Sequence, residues 1–358
     1  MTIVKLIKVK KLKFLLLVLL ITFLFGCTQV DVSNQNVSSN SYGLLKVHFL
    51  DVGQADSILI QFPNGETALI DGGNREDGKF VVEYIKSMGI SKINYIIATH
   101  PHEDHIGGLP EVIKNFDIKK VYMPNKISNT RIFATLLQEI KNKGLKIIQA
   151  KGGLSIIDTE NLKFTIIAPN SEKYDETNEY SIVNKLIYKN TSFIFTGDAE
   201  KDSEAEMIKL GYDLKADVLK VGHHGGRTST NYEFLKKINP KFAVISVSKD
   251  NDYGHPHKEV LKRLDKMGIK VLRTDELGTI IATSDGYKID FNKGITKNNY
   301  DITKNEKHKK TVYIGNKRTK VYHATQCKSL PKQENRVVFK SEEEAEKAGY
   351  RPHKNCIE

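Results

Sequence analysis

The stretch Thr99-His100-Pro101-His102-Glu103-Asp104-His105 directly follows the apolar run 93–98, and it decides the fold. The apolar run predicts a buried strand, and the turn after it brings three imidazoles and a carboxylate within six residues. Imidazole nitrogens and carboxylate oxygens suit zinc, manganese or iron. The chain has eleven histidines in all, so three in one short solvated loop would be an unusual coincidence. The stretch therefore predicts a metal site.

The first 27 residues are interpreted as a targeting segment. Five lysines precede the apolar run Phe14–Phe25, which is short for a membrane span but has the length of a signal-peptide core. Leu24-Phe25-Gly26-Cys27 resembles a bacterial lipoprotein cleavage box. We therefore expect Cys27 to be lipidated and to anchor the protein on the outer face of the plasma membrane. An uncleaved signal anchor is the alternative, and in both cases the rest of the chain is exported.

Charge and cysteine content constrain the exported part. Loss of residues 1–26 lowers the formal net charge from +12 to +7, because this segment carries five lysines and no acidic residue. A moderately basic protein is compatible with nucleic acid or another phosphate polymer as its partner. Only Cys27, Cys327 and Cys356 are present, so a hydrophobic core rather than a disulfide framework must hold the long middle of the chain.

Four segments follow the targeting peptide. Residues 28–43 read as a polar tether, and residues 294–310 as a lysine-rich linker to a small module at 311–358. Between them, residues 44–293 carry short apolar strands in two groups with helices interspersed, which predicts a layered α/β domain. The helices are expected near Lys79–Met88, Lys201–Leu210, Tyr232–Ile238 and Glu259–Met267, and one of the strands is expected over Tyr180–Tyr188.

Four further strand ends in this domain carry Asp or His beside glycine, which lets the backbone approach a ligand closely. They are Asp71 after 69–70, Asp198 after 193–195, His223 and His224 after 218–221, and His255 and His257 after 242–248. One such turn alone is more often structural. Together with the histidine stretch they predict one shared site.

The order Asp-Gly-Gly, His-x-His-x-Asp-His, Thr-Gly-Asp and His-His-Gly resembles the metallo-β-lactamase superfamily. More narrowly, it is similar to the extracellular hydrolase domain of ComEC-type competence proteins. The resemblance covers residues 44–291 and is carried by Phe49–Asp56, Ala98–Leu109, Ser192–Glu200 and Leu219–Thr230. It implies an αββα sandwich with a metal site at one edge of the two sheets.

The resemblance also implies roles for individual residues around one or two divalent ions, zinc or manganese. His100 and His102 would bind one metal, Asp104 and His105 a second, and Asp198 both. Either His223 or His224 would complete the second site; we favour His224, with His223 facing the substrate, but the sequence leaves this open. Asp71 would orient a ligand histidine or the bound water.

One departure concerns the first metal. Many members of the superfamily supply a third histidine, yet none occurs here between His105 and His223. The segment 178–183 occupies its place and resembles the Asn/Ser-containing segment of ComEC-type domains, so Asn178 and Ser181 are predicted to face the substrate. The first site is therefore expected to be poor in ligands.

Such a site favours hydrolysis. A divalent cation lowers the pKa of bound water from about 15.7 to about 7, and a pair of cations also neutralises the oxyanion that forms. A phosphodiester fits this chemistry. Arg227, Thr228 and Ser229 are predicted to bind its phosphate. His255 or His257 is expected to donate a proton to the leaving oxygen, although this segment also suits a helix start.

The C-terminal module repeats a His/Cys pairing. His323 with Cys327 and His353 with Cys356 are plausible halves of a zinc site, and the segment resembles the metal-binding module of the Ada family, which usually has Cys in place of His353. A Cys327–Cys356 disulfide is the alternative. About 48 residues need one or the other to hold together. By analogy, the module would help to bind nucleic acid or a cell-wall polymer.

These observations favour a surface-anchored, metal-dependent phosphodiesterase or nuclease that acts on extracellular DNA through a metal-bound hydroxide. A phosphocholine or teichoic-acid phosphodiesterase of the cell wall is an alternative, although the chain has no tryptophan for a choline cage. A non-catalytic accessory protein of DNA uptake is another, and it predicts an incomplete metal set. Any role in uptake requires separate transport machinery.

Overall fold

The computed structural model describes residues 43–294, 313–324, 327, 329–339, 342–353 and 356. The chain divides into two compact units between Gly294 and Ile295. The predicted targeting segment, with Cys27, and nearly all of the predicted tether and linker lie outside the described residues. Within the described ranges, none of the helices combines the length and the apolar character that crossing a membrane requires.

The first unit contains two sheets and the helices that cover them. Its strands are β1 (Leu45–Phe49), β2 (Ile58–Gln61), β3 (Thr67–Ile70), β4 (Lys92–Ile97), β5 (Asp117–Met123), β6 (Ile147–Gln149), β7 (Ser155–Asp158), β8 (Leu162–Ala168), β9 (Val183–Tyr188), β10 (Thr191–Phe195), β11 (Val218–Lys220), β12 (Phe242–Ile245), β13 (Lys270–Arg273), β14 (Ile280–Ser284) and β15 (Ile289–Phe291). Its helices are α1 (Gly78–Ser87), α2 (Glu103–Ile106), α3 (Leu109–Asn115), α4 (Arg131–Asn142), α5 (Lys201–Lys209), α6 (Tyr232–Ile238), α7 (Lys258–Lys266) and α8 (Thr274–Leu277). Short 3-10 turns lie at Arg75–Asp77, Asn178–Tyr180 and Gly222–Gly225.

The two sheets pack face to face between helices. The first has the order β15-β14-β1-β2-β3-β4-β5-β6 and the second β13-β12-β11-β10-β9-β8-β7. Side chains alternate along the strands: Phe193 and Phe195 belong to the core between the sheets, whereas Ile194 packs with α5, α6 and α7 on the outer face. Leu69 of β3 packs in the same way with helices of the first half. The structure confirms the predicted αββα sandwich.

The structure of the first unit departs from the sequence-based expectations at two places. The amphipathic helix α4 was not predicted, although the Thr130 side chain caps it by accepting a hydrogen bond from the Phe133 N–H at 3.4 Å. A strand was expected over 180–188, but β9 begins only at Val183, because Asn178–Tyr180 forms a 3-10 turn. That turn brings Asn178 to the edge of the sandwich.

Parallel pairing determines where the polar strand ends meet. β3 and β4 are parallel neighbours in the first sheet, and β10, β11 and β12 are parallel neighbours in the second. In parallel α/β sheets, ligands bind outside the carboxyl ends of the strands. Asp71, the histidine stretch, Asp198 and the His223–His224 turn directly follow β3, β4, β10 and β11 in that order.

The second unit is a small four-stranded sheet with one helix. Its elements are β16 (Tyr313–Asn316), β17 (Val321–Ala324), a 3-10 turn at Gln333–Asn335, β18 (Arg336–Phe339), α9 (Glu342–Lys347) and β19 (Arg351–Pro352). The strand order is β18-β16-β17-β19. Its core is limited to Tyr322, Phe339, Ala345 and Tyr350 among the buried described residues. So small a core is consistent with a need for additional cross-linking.

Candidate metal centre

Four of the predicted ligands form one compact cluster. The donor atoms of Asp104, His105, Asp198 and His224 all lie within 4.8 Å of one another. His105 Nε2 is 3.3 Å from Asp198 Oδ1, and His224 Nε2 is 3.2 Å from Asp104 Oδ2. Ligand atoms around one tetrahedral metal lie about 3.4 Å apart, given bonds of about 2.1 Å. The cluster therefore has the dimensions of a single metal site.

Unpartnered buried atoms give an independent test of this fit. His105 Nε2 and Asp198 Oδ1 are both buried and have no hydrogen-bond partner. Buried polar atoms are nearly always paired, and an unpaired one costs about 1–3 kcal/mol. A divalent cation between these two atoms would satisfy both, so the residues present fit a metal.

Hydrogen bonds on the far side of each histidine select the ligating tautomer. Asp71 Oδ2 accepts a hydrogen bond from His105 Nδ1 at 2.8 Å, and the carbonyl of Ser246 accepts one from His224 Nδ1 at 3.0 Å. Thr99 fixes Asp71 in turn, through its N–H at 2.8 Å and its hydroxyl at 2.7 Å. Because Nδ1 donates in both rings, each Nε2 keeps its lone pair for a metal.

The second oxygen of Asp198 faces a sparser group. His100 Nε2 lies 4.0 Å and His223 Nε2 lies 3.9 Å from Asp198 Oδ2, and His102 Nδ1 is 3.0 Å from His100 Nε2. Asp198 therefore stands between two groups of histidines, with one oxygen toward each. This arrangement places Asp198 where a ligand shared by both groups would lie; its bridging role and the scarcity of ligands at the first site stay predictions.

The charges of the cluster favour a cation. Despite the opposing effect of burial, the pKa of Asp198 is held well below its usual value by His105 and His224, and that of Asp104 is lowered by His105. Although burial opposes it, Asp198, Asp104 and Asp71 raise the pKa of His105 well above its usual value. Without a metal, the carboxylates are thus compensated by a proton that a divalent ion would displace.

His223 and His224 occupy strained backbone positions. Their φ angles are +50° and +51°, in the left-handed region that non-glycine residues rarely adopt. His224 is 2 % exposed and points into the cluster, whereas His223 is partly exposed and lines the cavity. Glu200 Oε1 lies 2.8 Å from His223 Nδ1 and leaves Nε2 facing the cavity. The structure therefore places His224 in the donor cluster and His223 at the cavity, and the ligand role of His224 stays a prediction.

The predicted substrate-binding residues divide into two groups. Asn178 and Thr228 both donate to Glu200 Oε1, at 3.2 and 2.7 Å, beside the cavity, whereas Arg227 is exposed and its guanidinium lies 3.2 Å from His257 Nε2. Ser181 and Ser229 are fully buried, which corrects the prediction that they face the substrate. Their hydroxyls form structural hydrogen bonds within the protein.

Each of these two serines stabilises one part of the centre. The Ser181 hydroxyl accepts from the Asp198 N–H at 3.1 Å and lies 3.2 Å from His100 Nδ1, so it positions a ligand on each side. The Ser229 hydroxyl donates to the carbonyls of Gly222 and Gly226 and closes the His-His turn.

His255 and His257 also take positions that modify their predicted roles. Burial and the neighbouring histidines lower the pKa of His255 to about 3, so the ring is uncharged at neutral pH and is not poised as a proton donor. Its Nδ1 lies 3.3 Å from the Gln54 side-chain amide. His257 is the N-cap residue of α7 and accepts a hydrogen bond from the Arg227 N–H at 3.1 Å, in keeping with the helix-start alternative.

The cavity at the centre has a volume of about 310 Å³. Its lining consists of Gln54, His102, Glu103, Asp104, Asn178, Asp198, His223, His224, Tyr253 and His255. A larger cavity of about 740 Å³ elsewhere in this unit is lined by lysines, aspartates and apolar groups without any histidine or cysteine. The donor atoms of the smaller cavity make it the candidate active site.

Sequence reasoning missed the residues that support the ligands from behind. Thr99, Glu200, Asp56 and Lys220 received no role, although Asp56 and Lys220 lie in the same short stretches as the recognised motifs. The sequence shows that these residues lie close to the motifs. It does not show which residues of other strands they contact.

The C-terminal unit has its own donor cluster. The ligand atoms of His323, Cys327, His353 and Cys356 all lie within 4.8 Å of one another. Cys327 Sγ is 3.5 Å from His323 Nδ1, and Cys356 Sγ is 3.4 Å from His353 Nδ1. Both thiols are free, so the disulfide alternative is not realised. Two thiolates and two imidazoles are a donor set typical of structural zinc.

Fold and donor set together define a metal-dependent hydrolase fold joined to a small Cys/His metal-binding module. The family model of the metallo-beta-lactamase superfamily matches residues 50–249, and that of the metal binding domain of Ada matches residues 299–358. The chain belongs to the metallo-beta-lactamase superfamily, and it carries an Ada-type metal-binding module at its C-terminal end.

Among curated proteins, the chain is 33 % identical over 252 residues to ComE operon protein 3 of Bacillus subtilis, which covers 66 % of this chain and 32 % of that protein. It is 28 % identical over 231 residues to the competence protein ComA of Neisseria gonorrhoeae, covering 64 % and 31 %. The chain thus spans about a third of the length of these relatives. The solved structure of the metallo-beta-lactamase fold protein YhfI from Bacillus subtilis is similar with 12 % identity and a TM-score of 0.46, covering 67 % of this chain and all of that one.

Proposed function

We propose that this protein is a phosphodiesterase that hydrolyses extracellular DNA or a related phosphate polymer. The position of Asp198 between two groups of histidines carries the proposal. A carboxylate shared in this way suits a site that would hold two divalent cations. Bound divalent ions would supply a water of lowered pKa and neutralise the charge of the phosphate.

The chain itself supplies binding and orientation. Asp71 and Ser246 hold His105 and His224 in the ligating tautomer. Glu200 orients His223 so that its Nε2 can bond a phosphate oxygen beside Asp198. The exposed Arg227, whose guanidinium lies 3.2 Å from His257 Nε2, would offer a cation to a further phosphate of a polymer.

Two further features extend this proposal. The competence proteins to which the chain is similar support a nucleic-acid substrate and an association with DNA-uptake machinery. We also propose that Cys27 is lipidated and anchors the protein on the outer face of the plasma membrane. The C-terminal cluster would hold one structural zinc, in a module that assists binding of the polymer.

A nuclease assay tests the proposal. The purified full-length chain is incubated with single-stranded and duplex DNA in the presence of zinc, manganese or magnesium. A His102→Ala/Asp104→Ala variant is the matched control, because it removes one ligand from each side of Asp198. Metal-dependent cleavage by the wild type alone is expected. Equal cleavage by both proteins would refute the proposal, and DNA binding without cleavage would favour a non-catalytic uptake role.

A further inference from the structure

A buried ion pair lies behind the metal centre. Lys220 Nζ is 2.9 Å from Asp56 Oδ2, and both side chains are almost completely inaccessible to solvent. Lys220 also donates to the carbonyl of Val221 at 2.8 Å. Replacing a buried ion pair with apolar side chains is often neutral or stabilising, so stability alone is a weak reason to keep one. The function proposed above makes no use of this pair.

The pair joins the two halves of the centre. Asp56 lies between β1 and β2 of the first sheet, and its backbone N–H donates to the carbonyl of Asp104 at 3.1 Å. Lys220 is the last residue of β11 in the second sheet and directly precedes the turn that carries His224. The ion pair, together with the hydrogen bond from the Asp56 N–H, therefore connects the loop that carries Asp104 with the strand that leads to His224.

The other oxygen of Asp56 has no hydrogen-bond partner. Asp56 Oδ1 is buried and lies 3.6 Å from His224 Nδ1. Donor atoms of Asp56, Asp71 and His105 also lie within 4.8 Å of one another. A single carboxylate thus reaches the rear of both histidines of the four-residue cluster. A buried unpaired oxygen is costly, which suggests that it has an electrostatic task there.

The sign of the charges indicates that task. An ammonium buried this close to the ligands would oppose the entry of a divalent cation, because charges interact strongly where water is excluded. Asp56 cancels the charge of Lys220, and its free oxygen attracts the Nδ1–H side of His224. We propose that the Asp56–Lys220 pair is a charge-balancing and positioning element for the His105 and His224 ligands. This inference rests on the metal centre and not on the identity of the substrate.

The test measures binding of Mn²⁺ to the full-length chain by electron paramagnetic resonance of the free ion. Manganese is chosen because the thiolates of the C-terminal cluster prefer zinc. Asp56→Asn is expected to weaken Mn²⁺ binding about 10-fold or more, as for other residues that support ligands. Asp56→Asn/Lys220→Met removes both charges and is expected to restore the affinity to within about 3-fold of the wild type.

A matched control is available in the same sheet. Asp217 and Lys241 form an ion pair of 2.9 Å at the opposite end of β11, and Asp217→Asn is expected to leave Mn²⁺ binding unchanged. Thermal unfolding of each metal-free variant reports any loss of stability separately. If Asp56→Asn does not fold, Lys220→Met serves instead and is expected to bind Mn²⁺ at least as tightly as the wild type.

Several outcomes would overturn the inference. A purely structural pair predicts that Asp56→Asn lowers the unfolding temperature while Mn²⁺ binding stays unchanged, or that the double variant binds as weakly as Asp56→Asn. Weaker binding by Lys220→Met would also refute it. Failure of the wild type to bind Mn²⁺ would overturn the centre and the inference together. Normal Mn²⁺ responses without DNA cleavage would refute only the proposed function.

Discussion

Asp71→Asn is the substitution whose effect the structure defines most closely. Asp71 accepts hydrogen bonds from the Thr99 N–H, the Thr99 hydroxyl and His105 Nδ1, at 2.8, 2.7 and 2.8 Å. In the variant, the side-chain oxygen of the asparagine still accepts the hydrogen bond from the Thr99 N–H, and its NH₂ group then faces His105. The ring must accept at Nδ1 and therefore carry its proton on Nε2, the atom that faces the metal cluster.

The magnitude follows from the bonds that are lost. A buried hydrogen bond to a charged group contributes about 1.5–3 kcal/mol. To bind a metal, His105 would have to carry its proton on Nδ1 again, where it would face the NH₂ group of the asparagine. The free energy of the lost hydrogen bond is therefore subtracted from the free energy of metal binding. We expect metal affinity to fall about 10- to 100-fold, in line with other residues that orient ligand histidines.

Metal binding to the full-length variant is measured by titration with Mn²⁺, and metal-free stability by thermal unfolding. Asp77→Asn is the control, because Asp77 is a partly buried carboxylate that accepts hydrogen bonds from Asn74 rather than from a ligand. An Asp71→Asn variant that folds and binds Mn²⁺ within about 3-fold of the wild type would show that the tautomer argument is wrong.

Three further predictions concern other parts of the chain. Burial raises the pKa of Glu204 from 4.5 to about 7, so the folded state binds this proton more tightly than the unfolded state. The free energy of unfolding is therefore expected to fall by about 3 kcal/mol as the pH rises between these two values. Urea unfolding at pH 5 and pH 8 should show this loss of stability in the wild type and not in Glu204→Gln. Cys327→Ser/Cys356→Ser should remove one bound zinc by elemental analysis and leave Mn²⁺ binding to the hydrolase domain unchanged, and a loss of Mn²⁺ binding would contradict the independence of the two centres. Cys27→Ala should move the protein from the membrane fraction to the medium or a soluble fraction, and unchanged fractionation would argue against lipidation.

The predicted fold and ligands came from signals that are local in sequence. His100, His102, Asp104 and His105 lie in one turn after a buried strand, and the glycines near Asp71 and Asp198 mark strand ends. Such patterns specify which side chains leave a strand together. The family resemblance then supplied the αββα layering and the edge at which the site lies, which no local pattern contains. Candidate ligands that the structure brings into one cluster could therefore be named in advance.

The supporting residues could not be named, because their roles arise from pairing between distant strands. Asp56 and Lys220 are 164 residues apart, and nothing near either of them in sequence indicates an ion pair. Ser181 was predicted to face the substrate and Ser229 to bind its phosphate, but tertiary packing buries both. Burial of a small polar side chain depends on the elements around it, so composition and spacing do not reveal it.

The two oxygens of Asp198 face groups of donor atoms that differ in number and in spacing. On the Oδ1 side, four donor atoms are already within 4.8 Å of one another, and the histidines are held from behind by Asp71 and Ser246. On the Oδ2 side, the nearest imidazole nitrogens lie 3.9 and 4.0 Å away, and no third histidine follows in the segment before His223. A preformed donor set loses less conformational entropy on binding, so the Oδ1 side should fill first. Because the chain offers fewer donor atoms on the Oδ2 side, a phosphate oxygen would, under the proposed function, bind there.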